Sequence, residues 1–292
     1  MTPSFAGIPL NRPIIMGIVN VTPDSFSDGG QFFGLEQAIG FGRSLAAQGA
    51  SILDIGGEST RPGAAPITLE QEIARAVPVV RALAAGGHCV SIDTRHAAVM
   101  RAALEAGAAI INDISALEGD PDSLKVAAAS RASVVLMHMQ GTPANMQAAP
   151  AYQDAPREIY DYLAGRIEAC LSAGIGRERI CVDPGIGFGK TLRHNLDLLA
   201  HLDLFQQLGV PVLLGVSRKS LIGALSRREP PRERVAGSIA AGLAGIARGV
   251  QILRVHDVAE TAQAVAVWHA IEKARSSSGP GNDDAGTEEP PH

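Results

Sequence analysis

The sequence predicts a single α/β domain closed into a (β/α)8 TIM barrel, and three observations carry that expectation. Eight short apolar runs recur along the 292 residues, segments of helical periodicity separate them, and nearly every run stops in polar residues. An apolar run without polar alternation marks a strand buried on both faces, as in a parallel sheet. Strict alternation of strand and helix favours closing that sheet into a barrel, a fold of about 250 residues. An open doubly wound sheet satisfies the same alternation, so closure is left for the structure to decide.

The first run, PIIMGIVN, ends at Asn20, and SILDIGGESTR passes Asp54 and Glu58 to reach Arg61. HCVSID stops at Asp93, AAIIND at Asn112 and Asp113, and ASVVLMH at His138. RICVD stops at Asp183, VPVLLGVSRKS at Lys219 and Ser220, and VQILRVH at Arg254 and His256. Between them, helical spacing fills 35–48, 69–85, 95–106, 122–129, 156–173, 192–207, 232–248 and 259–275. Thr68 followed by Gln71 has the form of a capping box. Gly49, Gly107, Gly174 and Gly249 fall just past helical segments, where a left-handed residue ends a helix at least cost.

Residues 14–275 are thus the barrel, 1–13 an N-terminal extension, and 276–292 an acidic tail with no large apolar residue to anchor it, expected to be disordered. The loops 21–34 and 56–66 are long and rich in Gly, Pro, Ser and Thr, as mobile rim loops that act as lids are. The net charge is −5, and Asp283, Asp284, Glu288 and Glu289 crowd much of it into the tail. A near-neutral barrel offers no basic face to nucleic acid. Any anionic ligand must be held by a few placed cations. Cys89, Cys170 and Cys181 form no CxxC pair, so buried free thiols and a reducing, cytoplasmic setting are expected. No apolar stretch is long enough for a membrane span, and no signal-peptide pattern opens the chain.

Polar groups at the C-terminal ends of barrel strands share one rim, where this architecture keeps its chemistry. Asp183 opens DPGIGFGKT, which looks like a phosphate loop until Pro184 is found where the first glycine should stand. The dinucleotide spacing fails as well. Asp54, Asp93 and Asp183 could bind a metal, act as bases, or accept paired N–H donors from a guanidine-like heterocycle. Any one of them could equally be a buried Asp holding a loop; the set of three with Asn112 points to a site. Arg61, Lys219, Arg254 and His256 converge from different strands, the last three near the end where barrels often hold phosphate. Such cations suit a leaving group of two or more negative charges, and Asn20 could help hold a hard cation such as Mg²⁺. The plainer alternative is a scatter of salt bridges. Met137 and Met139 flank His138 and are more ordinarily packing residues.

Taken in order, MGIVNVTPDSFSDGG (16–30), DIGGESTRPG (54–63), SIDT (91–94), INDIS (111–115), LMHMQGTPANMQ (136–147), DPGIGFGKT (183–191), GVSRKS (215–220) and RVHDV (254–258) resemble the dihydropteroate synthase family. The resemblance spans residues 14 to about 275. It implies a transferase of folate biosynthesis that joins 4-aminobenzoate to a dihydropterin methyl diphosphate, releasing diphosphate and 7,8-dihydropteroate. Carried over residue by residue, Asp93, Asn112, Ile114, Met137, Asp183, Gly215 and Lys219 would bind the pterin. Asn20, Thr60, Arg61, Arg254 and His256 would hold the diphosphate, with Asn20 ligating Mg²⁺. Phe26, Pro62, Phe188, Lys219 and Ser220 would face the aminobenzoate, with Asp28 and Arg61 closing over it. Asp93, Lys219 and Arg254 would be catalytic. The resemblance also implies a homodimer built through the last helices and a target for sulfonamides, which mimic aminobenzoate.

Three other functions compete. A methyltetrahydrofolate–corrinoid methyltransferase-like pterin barrel would need neither the SRKS edge nor a diphosphate cluster. A Schiff-base enzyme would need Lys219 neutral and desolvated. A non-catalytic pterin-binding paralogue would keep the same residues without turnover.

Overall fold

The computed structural model describes residues 3–21, 30–58 and 67–277. All eight apolar runs become parallel strands: β3 (Ile14–Asn20), β4 (Ile52–Gly56), β5 (Val90–Asp93), β6 (Ile110–Asp113), β7 (Ser133–Met137), β8 (Ile180–Asp183), β9 (Leu213–Leu214) and β10 (Ile252–Val255). They lie in the order β8-β7-β6-β5-β4-β3-β10-β9. A parallel bridge between Val182 and Val212, with the Val182 N–H on the Pro211 carbonyl at 2.9 Å, joins the two ends. The sheet is therefore a barrel and not an open wound sheet.

Register places the site. Asn20 lies opposite Gly56, Gly56 opposite Asp93, and Asp93 opposite Asn112. Met137 lies opposite Asp183 on the far side. The polar strand ends are thus level, and together they line the C-terminal rim.

Helices pack outside the strands: α1 (Gly30–Ala47), α2 (Leu69–Ala85), α3 (Ala97–Glu105), α4 (Ser123–Ala129), α5 (Ala155–Ser172), α6 (Leu192–Ala200), α7 (Ser220–Leu225), α8 (Val235–Ile246) and α9 (Val258–Ser277). The Thr68–Gln71 capping box forms as expected. Gly49, Gly107, Gly174 and Gly249 all take positive φ. Two segments depart from the periodic pattern. The helix expected over 192–207 breaks at His201, whose ring bonds the Asp197 carbonyl at 2.8 Å. Its own N–H turns to Leu198 at 3.1 Å, and a 3-10 stretch Leu202–Leu208 follows. The helix expected from 232 begins at Val235, because Pro230 and Pro231 open a 3-10 turn first. α7 is additional, formed where the seventh run passes Lys219.

The N-terminal extension has a task that its composition does not announce. β1 (Ser4–Phe5) and β2 (Ile8–Pro9) form a hairpin. Its turn, Ala6-Gly7, has positive φ at both central positions, the twist that suits a two-residue hairpin. Phe5 is fully buried among Ile14, Met16, Ile52, Ile110, Val135, Cys181, Leu213 and Ile252, the apolar filling of the barrel interior. Burying such a side chain is worth about 1.5–3 kcal/mol, so the hairpin plugs the mouth opposite the site. A second, larger core fills the layer between strands and helices.

Residues 30–34 of the first expected loop instead open α1, Gly56 of the second ends β4, and residues 276–277 of the expected tail end α9. Residues 22–29 and 59–66, with Phe26, Asp28, Thr60, Arg61 and Pro62, and 278–292 lie outside the described residues. Among the described residues no helix is long and apolar enough to cross a membrane.

Candidate active site

Arg254 stands at the centre of the rim. Its Nε donates to Asp54 Oδ2 and its Nη2 to Asp93 Oδ2, each at 2.6 Å. Asn112 Nδ2 also donates to Asp54 Oδ2, at 3.1 Å. One guanidinium therefore ties β10 to β4 and β5, through a fully buried Asp54 and a largely buried Asp93. Burial pushes the Asp93 carboxyl up to about 7, with Arg254 pulling it down and Asp54, Asp113 and Glu72 pushing it further up. Burial lowers Arg254, but Asp54, Asp93 and Asp183 together raise it by more, so it stays charged. The sequence pattern separated a carboxylate side from a cation side; the structure joins Asp54, Asp93 and Arg254 in one network. Asp113 faces the other way, accepting from Ser115 N, Ser115 Oγ and Leu117 N at 2.7, 2.7 and 3.0 Å. It holds the β6–α4 loop.

Asp183 forms the opposite wall. Its Oδ1 accepts the Gly185 N–H at 2.8 Å. Its Oδ2 faces Gly215, where a Cβ would touch it at 3.6 Å, so the glycine leaves that oxygen uncovered by a side chain. Burial raises the Asp183 carboxyl, opposed by the Gly185 N–H and by Lys219, Arg254 and Lys190. Gly185 is obligatory: its φ is +71°, and a Cβ would stand 1.9 Å from the His138 carbonyl oxygen. Ile114 and Met137 are buried apolar neighbours of these strand ends.

Lys219 enters from the N-terminus of α7, with its Nζ 4.1 Å from the centre of the Phe188 ring. Burial lowers it to about 8, with Asp183 raising it and Arg254 lowering it further. The turn before it is built from charges that the sequence reading passed over. Arg218, at φ +58°, pairs with Asp257 through its Nε (3.0 Å) and Nη2, while its N–H bonds Ser238 Oγ at 2.8 Å. Ser220 is exposed at the rim. Ser217 Oγ lies 3.1 Å from His256 Nδ1 and accepts the His256 N–H at 3.1 Å, which fixes that imidazole beside the same turn.

Lys190 was also missed. It is 3% exposed, and its Nζ lies 3.0 Å from His138 Nδ1, 2.9 Å from the Phe188 carbonyl and 3.3 Å from the His138 carbonyl. Burial holds Lys190 down at about 7. Burial and then Lys190 hold His138 down at about 3, so the imidazole is neutral. Only the failed phosphate-loop pattern singled out this lysine in the sequence.

The oxygen set at the β3–β5 end fits a hard cation. Gly56 lacks the Cβ that would lie 3.6 Å from Asn20 Oδ1 and 3.7 Å from Asp93 Oδ2, so a cradle opens between two oxygen donors. Buried Asp54 Oδ1 has no hydrogen-bond partner. Oxygen ligands of this kind are what Mg²⁺ prefers. Behind the rim, Glu58, Glu72 and His96 bring ligand-type atoms within 4.8 Å of one another. His96 Nδ1 lies 2.8 Å from Glu72 Oε2, and Arg95 pairs with Glu58 at 3.4 Å.

A family model described as pterin binding enzyme matches residues 16–256, so the barrel and its rim are those of a pterin-binding enzyme family. A dihydropteroate synthase of Neisseria meningitidis serogroup C is 48% identical over 267 residues, covering 90% of this chain and 94% of its own. The Xanthomonas albilineans dihydropteroate synthase with 4-aminobenzoic acid superposes with a TM-score of 0.86 at 51% identity, covering 91% of this chain and 95% of that one. The same enzyme in complex with 7,8-dihydropteroate gives 0.83 at 48% identity over 91% and 95%. The chain belongs to the dihydropteroate synthase family, transferases of folate biosynthesis.

Proposed function

We propose that this rim condenses a (7,8-dihydropterin-6-yl)methyl diphosphate with 4-aminobenzoate, giving 7,8-dihydropteroate and diphosphate. One observation carries the assignment of roles. Asp183 presents an open Oδ2 across the barrel mouth from the Asp54–Arg254–Asp93 network, so a flat ring and a charged leaving group fit side by side.

Asp183 accepts two N–H bonds from the aminopyrimidine edge, a bidentate and charge-assisted contact. Asn112, Asp93, Gly215 and Lys219 complete the ring's polar edge, with Met137 and Ile114 against its faces. Arg254 neutralises charge on the diphosphate from β10, with His256 beside it as a hydrogen-bond partner, and Arg61 adds a second positive charge and Thr60 a hydroxyl donor from the segment after β4. Asn20 would hold Mg²⁺, which supplies charge neutralisation to the leaving group when bound. As the diphosphate departs, positive charge grows on the pterin methylene, and Asp93 stands where a carboxylate offsets it. Fixed charges of this sort act without reorganising at the moment of reaction. The amine of 4-aminobenzoate then attacks, its ring against Phe188, Phe26 and Pro62 and its carboxylate towards Lys219 and Ser220. No nucleophilic side chain is required.

Diphosphate release measured with a coupled assay is expected only when both 4-aminobenzoate and Mg²⁺ are present. Release at the same rate without aminobenzoate would make the chain a hydrolase and end this assignment.

A second copy of the chain is the proposed cover for the α8–α9 face. Val267 and Ile271 are 56% and 60% exposed there, beside a groove lined by Val235, Ile239, Leu243 and Trp268. Exposed apolar surface of this kind ordinarily marks an interface. Light scattering is expected to give twice the chain mass, falling to one chain in Val267→Glu; a monomeric parent would refute the dimer. The three free cysteines accord with a reducing cytoplasm.

A further inference from the structure

Lys190 is the one buried ammonium of DPGIGFGKT, and the proposed chemistry leaves it without a role. The loop it follows is soft by composition: Gly185, Gly187 and Gly189 all take positive φ. Side chains therefore hold it from outside. Asn195 Oδ1 accepts the Gly187 N–H at 2.7 Å, Gln147 Nε2 donates to the Gly187 carbonyl at 2.7 Å, and the Tyr152 hydroxyl donates to the Gly189 carbonyl at 2.9 Å. Phe188 sits between these tethers. Its carbonyl is taken by Lys190 Nζ at 2.9 Å, and its ring carries Lys219 Nζ at 4.1 Å.

An ammonium has three N–H donors and no acceptor. Lys190 has three acceptors in reach, the Phe188 carbonyl, the His138 carbonyl and His138 Nδ1. With His138 neutral, the tautomer protonated on Nε2 presents Nδ1 as the third of these acceptors. Two loops, one after β7 and one after β8, are thereby drawn onto a single cation. A like charge, Lys219, lies over the ring of the same phenylalanine.

We propose that Lys190 is a positioning residue for the aminobenzoate subsite. By fixing the Phe188 backbone against the His138 backbone, it sets the ring on which the aminobenzoate packs and over which Lys219 lies. This rests on Phe188 being the aminobenzoate wall. A bare lysine stem cannot do the same, because removing the ammonium strands two carbonyls and an imidazole nitrogen in the interior. The loop then loses its register at Phe188 while Asp183, held by its own Gly185 contact, keeps its place.

Steady-state kinetics on the full chain with Mg²⁺ test this, varying each substrate in turn for the parent, Lys190→Met and Phe188→Ala. Lys190→Met is expected to raise KM for 4-aminobenzoate about tenfold or more while KM for the dihydropterin diphosphate changes less than about twofold. Phe188→Ala is expected to raise the aminobenzoate KM as well. No rise in Phe188→Ala overturns the aminobenzoate wall and this inference with it. A rise in Phe188→Ala with none in Lys190→Met overturns the role of Lys190 alone. Should the methionine variant fail to fold, Lys190→Gln keeps a donor of similar reach, and the same split in smaller degree is expected. An equal rise in both KM values would show general loosening and defeat the proposal.

Discussion

Asp183→Asn is expected to lower affinity for the dihydropterin about a hundredfold, because the amide turns a donor towards a donor and removes charge from a paired contact. Each hydrogen bond to a charged group is worth about 1.5–3 kcal/mol, so the loss of one with a mismatch at the other reaches about 3 kcal/mol. Stability should move the other way. Burial raises the Asp183 carboxyl in the folded chain. The unfolded chain therefore gives up that proton more easily, and stability is lost as pH rises from the ordinary carboxylate range through the raised value. Asparagine can keep the Gly185 contact and carries no such loss, so its melting temperature at neutral pH should equal or exceed the parent's. Calorimetric titration with a pterin, beside thermal unfolding, checks both. Unchanged pterin affinity would remove Asp183 from the ring site.

Arg254→Ala should be the most damaging single change. It leaves Asp54 and Asp93 facing the same void without their counter-charge, which pushes the Asp93 carboxyl further up from about 7, and breaking one side of a buried ion pair costs about 3–5 kcal/mol. Removing a fixed charge from the leaving group adds about a hundredfold to a thousandfold in turnover. The family pattern alone assigned Arg254 to diphosphate, which predicts that pterin binding survives its loss. Its bond to Asp93 changes that expectation: pterin affinity should fall too, because Asp93 loses the group that orients it. The double variant Asp54→Asn, Arg254→Ala separates the effects. It should regain part of the stability in urea unfolding while turnover stays low. Recovery of turnover together with stability would reduce Arg254 to a counter-ion.

The fold was legible because barrel strands are buried on both faces, so each wrote an unbroken apolar run, and each polar stop marked a rim position. Asn20, Asp93, Asn112 and Asp183 could be placed on one rim from that alone. Pairing was not legible. Arg254 meets partners 200 and 161 residues away, and nothing local in VQILRVH distinguishes a guanidinium held by carboxylates from one free to meet an anion. Arg218 with Asp257 and Lys190 with His138 escaped for the same reason, being contacts between loops after different strands. The N-terminal hairpin escaped through brevity: two-residue strands have no period to detect.

The ties of Arg254 also govern the order in which the molecule can be made. The first strands leave the ribosome carrying Asp54 and Asp93, but their counter-charge lies on the last strand of the barrel. Until β10 is synthesised, those carboxylates cannot be sealed inside without a penalty of several kcal/mol each, so the nascent β4–β5 unit must keep them in water. Phe5, made first of all, likewise waits for strands from across the chain before its socket exists. Contacts this distant in sequence slow folding and leave apolar surface open meanwhile. The charge that binds three strand ends into one rim is thus also the one that delays closure of the barrel until translation is nearly complete.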